Sequence, residues 1–306
     1  MASNLQGSGD LSAGTSVAEF RDDAAEAGRV QVNVQSSPAP ADTPAFTIGK
    51  REGTCSRDVA VDMDGNIASY GNDWVHVFDT KTGQSLRCFP IEGAAFGMGI
   101  GSKGQFVFTS HKTLFHPAFH AVPGTQAIRE YSRDGKLTKT LKPACLGAHP
   151  AGVAVLRDGR MVVSDQDRNS CLLLQPDGSL IREIGKEHLT NPWFIAVDES
   201  RDLFFVTDYG AHKVCVFDLE GKLKFSFGKH GKNEGELLGP IGITLDPAGN
   251  IIVANMTNGR LQVFGPDGTY LRTVAVVKGA CSQGITLTPD RHIAVASSSG
   301  ILFYKY

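Results

Sequence analysis

The chain has 306 residues, of which 41% are hydrophobic and 20% are charged, and its formal net charge of −2 excludes a strongly basic nucleic-acid binder. No run approaches the roughly 18 consecutive apolar residues that a membrane-spanning helix needs, so no membrane partner is expected. The amino terminus, Met1 to Asp10, lacks both a basic start and an apolar stretch, so no secretory signal is expected in this chain.

The first 42 residues are rich in Gly, Ser, Ala and Pro, and only Val30, Val32 and Val34 alternate as in a strand. This composition predicts a flexible leader over 1–42, followed by one folded domain over 43–306. The alternative for Val30–Val34 is pairing as an edge strand.

The six cysteines are widely spaced and form no Cys-x-x-Cys pair. Zinc sites and dithiol redox motifs commonly use such pairs, so the spacing indicates neither. Free, buried thiols in a reducing compartment are the expectation, which predicts a cytoplasmic location.

One apolar strand pattern recurs six times after the leader, with starts about 40 to 55 residues apart. The copies begin at Asp58, Gly97, Gly152, Phe194, Gly242 and Gly284. Each copy continues into a second strand, a third such as Val214–Asp218 and, in most copies, a fourth such as Leu223–Gly228. Four short antiparallel strands with this period form one propeller blade, so the sequence predicts an all-β, six-bladed β-propeller.

The ends of the repeat region predict how the ring closes. The sixth copy ends with Ile301–Tyr306 as its third strand, whereas Ala45–Gly49 precedes the first copy and reads like the other fourth strands. We therefore expect the N-terminal strand, about residues 45–49, to complete the last blade and to couple the two ends of the domain energetically.

The repeats resemble those of the NHL-repeat propellers, whose hallmark is a Pro-x-Gly-Ile-Ala-Val-Asp strand, then Asp-Gly-Asn-Ile, an Asp and an Asn, and a Val-x-Val-Phe strand. The segments that fit are Gly239–Asp246, Ala254–Asn255, Asn258, Val263–Phe264, Val206–Val214 and Val163–Asn169. The resemblance runs from Pro44 to Tyr306, and the repeats depart from the hallmark in blade one at Tyr70–Asp73, in blade two, and in blade six at Ser297–Gly300.

A lone propeller with such short blades most resembles the C-terminal domain of the tripartite-motif (TRIM) NHL proteins, where a RING and B-box zinc module lies upstream. Zinc-ligand spacing of that kind does not occur in this sequence. The resemblance implies that in a longer parent, an E3 ubiquitin ligase, this domain selects the RNA or protein target while the other module transfers ubiquitin. We predict that the chain itself is not an enzyme and that it binds no cofactor or metal.

The predicted topology sorts the connections onto two faces of the propeller. Connections that precede the first strand of a blade, or join its second strand to its third, share one face, here called the loop face. The remaining turns share the opposite face, here called the turn face. The loop face collects nearly equal numbers of basic and acidic residues and most of the histidines, whose protonation below about pH 6.5 would add positive charge.

Aromatic and basic residues of the loop face are the predicted binding residues for RNA or a partner protein. Stacking of a base on an aromatic ring contributes roughly 1–3 kcal/mol and cations attract phosphates, so single-stranded or structured RNA is a sensible ligand. The candidates are Arg57, Trp74, Lys112, Phe115, Phe119, Arg168, Trp193, Tyr209, Lys213 and Arg260.

Structural roles compete with this interpretation. Trp193, which follows Pro192, equally suits packing at the start of a strand, and scattered Lys and Arg side chains suit ordinary solvated loops. Asp165 and Asp208 suit turn residues that accept backbone hydrogen bonds.

The second copy carries an insertion, Ser110–Gly124, where the other copies need only a short loop. Long loops of this kind are often functional. Contact of Phe115 and Phe119 with the propeller rim or with a partner protein is expected. The alternative is a metal site formed by His111, His116 and His120, whose spacing no helix fixes.

Three classes of function stay open. RNA recognition through the loop face is favoured, protein docking is the alternative, and a lactonase- or lyase-type metal-dependent enzyme is the third. Such an enzyme would need several ligands converging at the central channel. The inward positions instead hold Val59, Val153, Ile195, Ile243 and Ile285. A monomer is expected, and nothing implies DNA specifically.

Overall fold

The computed structural model of the chain describes residues 40–41, 43–48, 56–71, 73–93, 95–111, 113–116, 119–123, 126–277 and 283–306, excepting the side chains of 113–116 and 119–123. These residues form six four-stranded sheets, one two-stranded sheet and one short 3-10 helix, Met256–Asn258. The predicted all-β, six-bladed propeller is confirmed. The predicted leader, including Val30–Val34, lies outside the described residues apart from 40–41.

The first three blades each run from the central channel to the rim in chain order. Blade one consists of Asp58–Val61, Ile67–Gly71, Trp74–Phe78 and Ser85–Pro90. Blade two consists of Ala95–Ile100, Phe106–Ser110, Ala127–Tyr131 and Leu137–Leu141. Blade three consists of Pro150–Val155, Met161–Asp165, Ser170–Leu174 and Leu180–Ile184. The insertion of blade two forms a separate hairpin of Thr113–His116 and Phe119–Pro123.

The last three blades repeat this order, except that the final strand comes from the other end of the domain. Blade four consists of Pro192–Asp198, Leu203–Asp208, Lys213–Asp218 and Leu223–Phe227. Blade five consists of Pro240–Leu245, Ile251–Asn255, Arg260–Phe264 and Tyr270–Val276. Blade six consists of Ile285–Leu287, His292–Ser297, Gly300–Lys305 and Phe46–Ile48.

The ring closes as the sequence predicts. Phe46–Ile48 pairs antiparallel with Gly300–Lys305, and the Phe46 ring stacks on Phe303 with 4.3 Å between ring centroids. Just before this strand, Ala41 forms a parallel bridge to Ala275 on the outer strand of blade five. The N-terminal segment therefore holds two neighbouring blades and not one.

The core consists of six hydrophobic clusters, each shared by two neighbouring blades. Second strands such as Met161–Asp165 are buried along their whole length, whereas outer strands such as Leu223–Phe227 alternate between half-buried and exposed residues. Because each blade buries both faces against its neighbours, the stability of one blade depends on the next.

Hydroxyl groups connect the inner strands of neighbouring blades. Thr207 in blade four accepts a hydrogen bond from the Phe194 amide at 3.0 Å and donates to the Ile241 carbonyl of blade five at 2.7 Å. Thr109 and Ser164 do the same between blades two and three and between blades three and four. Each hydroxyl sits where a register shift interrupts the pairing of the inner strand, so polar groups freed by the irregularity stay satisfied.

The four described cysteines are free thiols, as expected, but only Cys171 and Cys215 are buried. The expectation of burial is wrong for Cys88, which lies exposed on an outer strand, and for Cys145, which is half-buried. In the described part of the chain, no helix is long and apolar enough to cross a membrane.

Candidate recognition face

The loop face is fixed by acidic and amide side chains at the ends of second strands. Asp208 accepts hydrogen bonds from the amides of Thr190, Asn191 and Ala211 at 2.8 to 3.0 Å, which holds two loops against one strand end. Asp165 and Asn255 hold the equivalent loops through the amides of Gly147 and Leu238. The expectation that Asp165 and Asp208 accept backbone hydrogen bonds is confirmed, and the loop face has a defined backbone.

A group of aromatic rings, here called the aromatic cluster, gathers on this face near the central channel. It comprises Phe96, His111, Trp193, Phe194 and Tyr209. Phe96 stacks on His111 at 4.6 Å between ring centroids and meets Trp193 edge-on at 5.3 Å, and Trp193 lies 5.5 Å from Tyr209. All except Phe194 are partly exposed, so the cluster offers ring surface to a ligand.

Small residues allow this cluster to form across a blade. Phe96 belongs to blade two and Trp193 to blade four, and blade three contributes only Ala151 and Gly152 between them. A Cβ added to Gly152 would lie 2.7 Å from the Trp193 carbonyl oxygen, so the inner strands approach as closely as glycine permits.

Polar atoms around the aromatic cluster lack hydrogen-bond partners. Among the described residues, the buried side-chain atoms without one include five on this face: His111 Nε2, Gln166 Nε2, Asn191 Oδ1, Trp193 Nε1 and Asn258 Nδ2. A buried polar group left unpaired costs about 1–3 kcal/mol. Several buried polar groups beneath the loop face are thus left unpaired by the described protein atoms.

The histidines of this face differ in their electrostatic behaviour. Burial, the neighbouring His149 and the charge of Arg57 lower the pKa of His111 to about 4, against the raising effects of the Pro150 carbonyl and Asp167. His149 places Nδ1 at 2.7 Å from Asp167 Oδ1. The expectation that the histidines together add positive charge below pH 6.5 is therefore wrong for His111, which stays neutral until about pH 4.

Arg168 and Arg260, two of the predicted basic residues, are already engaged. Arg168 forms two hydrogen bonds with Glu183, from Nε at 3.0 Å and from Nη2 at 3.2 Å, so its charge is largely neutralised. Arg260 donates to the Lys232 carbonyl. Lys213 lies close enough to Cys215 to lower its pKa, against the larger effect of burial, which raises it to about 11.

The remaining candidates fall into two groups. Trp193 and Tyr209 are brought together in the aromatic cluster, with Arg57 close enough to influence His111. Trp74 lies apart on blade one and is 44% exposed. Lys112 and the side chains of Phe115 and Phe119 lie outside the described residues.

Phe96 and Phe194 are members of the aromatic cluster that the candidate residues did not include. In the repeat, Phe96 and Trp193 hold the same position, directly before Gly97 and Phe194, respectively. Comparing that position across the six copies identifies Phe96 from sequence alone.

The axial positions test whether a metal of the lactonase or lyase type fits. Two successive positions of the inner strands are the candidates: the apolar set Val59, Val153, Ile195, Ile243 and Ile285, and the preceding residues Asp58, Gly97, Gly152, Phe194, Gly242 and Gly284. Asp58 is the single ionisable residue among these, and its two oxygens accept the amides of Val59 at 2.9 Å and Met98 at 2.8 Å. The described residues include no group of three or more His, Cys, Asp or Glu side chains placed to hold a metal. These axial residues do not fit such a centre.

The described residues form a six-bladed propeller whose loop face has fixed loops around an aromatic cluster. Residues 71–299 match the family described as SMP-30/Gluconolactonase/LRE-like region. The chain belongs to that family. Family membership of a propeller fixes the fold and leaves the function to the site.

Curated relatives confirm the resemblance to the NHL propellers of TRIM proteins. The chain is 33% identical over 127 residues to E3 ubiquitin-protein ligase TRIM71 of Mus musculus, a match covering 37% of the chain and 15% of that protein. It is 30% identical over 108 residues to Protein brain tumor of Drosophila melanogaster, covering 35% and 10%. The matched region thus spans a small part of these relatives, and they support a propeller recognition domain.

Solved structures share the fold at lower identity. A gluconolactonase from Xanthomonas campestris superposes with a TM-score of 0.65 at 16% identity, covering 89% of this chain and 99% of the other. Virginiamycin B lyase from Staphylococcus aureus superposes with a TM-score of 0.58 at 15% identity, covering 85% and 87%. At such identities the likeness concerns the fold alone.

Proposed function

We propose that this chain is a non-catalytic recognition platform that binds single-stranded or structured RNA through its loop face. The carrying observation is the aromatic cluster, whose rings other than Phe194 are partly exposed. Partly exposed Trp193 and Tyr209 rings suit stacking by unpaired bases, which is tolerant of sequence, and polar side chains beside them suit hydrogen bonds to base edges.

The electrostatic part of binding is modest in this proposal. Arg168 is paired with Glu183, so Arg57, Lys213 and Arg260 are the described predicted cations whose charge no carboxylate neutralises. Each phosphate contact contributes to the salt dependence of binding, so few free cations imply a shallow slope. In this proposal, stacking and hydrogen bonds to base edges contribute more to the free energy of RNA binding than phosphate contacts do.

The named relatives support a proposed cellular role. TRIM71 is named as an E3 ubiquitin-protein ligase, so we place this propeller as the target-selecting domain of a TRIM-NHL-like ligase. A monomeric propeller and a cytoplasmic location belong to the same proposal, which the free thiols support.

Protein docking is the second candidate. The observation that favours it is the pairing of loop-face charges, namely Arg168 with Glu183, His149 with Asp167 and Lys229 with Glu236, since a nearly neutral face attracts RNA weakly. The hairpin inserted in blade two enlarges the same face for a partner.

RNA selection from a randomised pool tests the proposal directly. The purified chain is incubated with short single-stranded RNA at two salt concentrations, and retained species are sequenced. We expect enrichment of a motif that survives the higher salt. Retention of nothing, or of sequence-blind RNA that is lost with salt, would assign the face to a protein partner.

Variants locate the binding surface. Trp193→Leu and Tyr209→Leu should each weaken binding of the selected RNA by about tenfold, equivalent to about 1.4 kcal/mol of lost stacking. Met63→Ala is the matched control, because Met63 is 60% exposed on the turn face. Thermal unfolding of each variant separates lost contact from lost fold. Unchanged affinity in both aromatic variants contradicts the placement on the aromatic cluster.

A further inference from the structure

The turn face carries two adjoining cavities where the central channel opens. The larger, about 870 Å³, lies between blades five, six and one. The smaller, about 270 Å³, shares Val61 with it and extends to Arg157 in blade three. Small-molecule sites typically have volumes of about 300–1,000 Å³, so the larger cavity has the size of a ligand site.

The floor of the larger cavity is apolar. Val61, Leu245 and Leu287 are the last residues of three inner strands. Each is partly buried, and its remaining exposed side-chain surface lines the cavity. The rim adds exposed Pro247, Ala248 and Pro289 from the adjoining turns. Burial of this surface by an apolar group would release water from it and favour binding.

The carboxylate that lines the cavity is already saturated. Asp246 accepts hydrogen bonds from the amides of Ala248 and Asn250, from Asn250 Nδ2 and from the hydroxyl of Tyr306, all at 2.7 to 2.9 Å. These four donors occupy the acceptor positions of the carboxylate, so it has little hydrogen-bonding capacity left for a ligand.

Arg291 is the lining residue with unused capacity. Its guanidinium forms no ion pair or hydrogen bond with the described residues, although Asp290 is its neighbour in sequence. Asp290 instead accepts from Thr288 Oγ1 at 2.5 Å and lies 3.0 Å from His292 Nδ1. A free guanidinium offers five N–H donors suited to a carboxylate or phosphate.

The backbone at Arg291 provides an independent observation. Its φ is 64°, in the left-handed region, where the corresponding turns of four other blades have Gly65, Gly104, Gly159 and Gly249 and that of blade four has Asp202 at 56°. A side chain with a Cβ is disfavoured in that conformation, so the turn accommodates local strain at the residue that faces the cavity.

We propose that this cavity binds an amphipathic organic anion. Its apolar part contacts Val61, Leu245 and Leu287, and its anionic head binds the guanidinium of Arg291. The site lies on the face opposite the aromatic cluster, so a ligand here would leave the loop face free. The apolar floor with one free cation selects this class over cationic and fully polar ligands.

Decanoate tests the proposal, with decyltrimethylammonium as the probe of opposite charge, both kept below micelle-forming concentrations. We expect decanoate to bind the full chain by isothermal titration calorimetry and to raise its melting temperature, and the cation to bind at least about tenfold more weakly. Equal binding of both probes, or no binding of decanoate, overturns the proposal.

Arg291→Gly separates binding from folding. The glycine removes the charge and relieves the left-handed strain, so the variant should melt at or above the temperature of the parent chain while losing about tenfold or more in decanoate affinity. Ala248→Glu adds a repelling carboxylate at an exposed rim position and should weaken decanoate similarly. Lys136→Gln, on a blade-two turn of the same face, is the matched control and should bind as the parent does. Undiminished decanoate binding by Arg291→Gly contradicts the assignment.

Discussion

The two faces of the propeller connect similar strands in different ways. On the turn face, short turns reuse one device: Asp62 and Asp246 each accept the amides two and four residues further on, and arginines pair across blades, as Arg133 does with Asp64. On the loop face, Asp208 and Asp165 fix longer loops, yet polar atoms around the aromatic cluster stay unpartnered. The turn face is therefore optimised for holding the ring, and the loop face keeps capacity for a ligand. On the turn face, Arg291 also keeps unused hydrogen-bonding capacity.

Asp58 provides the largest expected effect, because it is an ionisable side chain at the axis. Burial raises its pKa from 3.8 to about 7, although the amides of Met98 and Val59 lower it. The folded state therefore keeps the proton while the unfolded state releases it, so stability from Asp58 is present below pH 3.8 and is lost as pH rises to about 7. The full difference corresponds to about 4 kcal/mol.

Asp58→Asn should remove this dependence. Asparagine has one acceptor oxygen fewer at every pH, which lowers the unfolding free energy by a constant amount. The change of the unfolding free energy with pH is therefore the informative quantity. Relative to the parent chain, the variant should gain up to about 4 kcal/mol in unfolding free energy between pH 4 and pH 8. Denaturant unfolding across that range measures it. Parallel stability curves for variant and parent would show that the axial carboxyl does not titrate.

The blades were predictable because their information is local and repeated. Each copy carries an alternating or fully apolar strand and a turn, and Ala45–Gly49 has the fourth-strand pattern that Ile301–Tyr306 lacks. The aromatic cluster was only half predictable. Trp193 and Tyr209 are visible in the sequence as aromatics of the loop face. The contact of Trp193 with Phe96, however, requires knowing that blade three places only Ala151 and Gly152 between them.

The sequence also could not show which charged side chains form ion pairs with one another. Arg168 reads as a free loop cation, but its partner Glu183 lies on the outer strand of the same blade, fifteen positions later. Strand register decides that encounter, and register is not evident from loop composition. The same holds for Cys88, whose outward direction depends on which alternate positions of Ser85–Pro90 face the neighbouring blade.

The second comparison concerns the carboxylates that hold each face. Asp208→Ala leaves three loop amides without acceptors at a fully buried site, so we expect about 3 kcal/mol of destabilisation. Asp246→Ala frees groups beside an open cavity, where water replaces the carboxylate, and should cost about 2 kcal/mol. Chemical unfolding measures both. Asp208→Asn should recover part of the loss, because its amide oxygen still accepts; no recovery would indicate that charge and not hydrogen bonding holds the loops.

The smallest effects should come from the ion pairs. Arg168 and Glu183 are 34% and 23% exposed and bound by two hydrogen bonds, so Arg168→Gln should lower stability by about 1 kcal/mol. Arg133 and Asp64 are about half exposed on the turn face, so Arg133→Gln should cost about 0.5 kcal/mol or less.

The pH dependence distinguishes the loop-face pair from a packing effect. Hydrogen bonding from Arg168 lowers the pKa of Glu183 below 4.5, so the contribution of this pair is present above 4.5 and disappears as pH falls through the lower folded value. The difference between Arg168→Gln and the parent should therefore shrink in acid. A difference that does not shrink at all as the pH falls from 4.5 to the acid limit of the folded state would mean that the arginine stabilises the blade through its aliphatic stem. In that case its charge would be available to a ligand, and Arg168 would return to the binding surface beside Lys213.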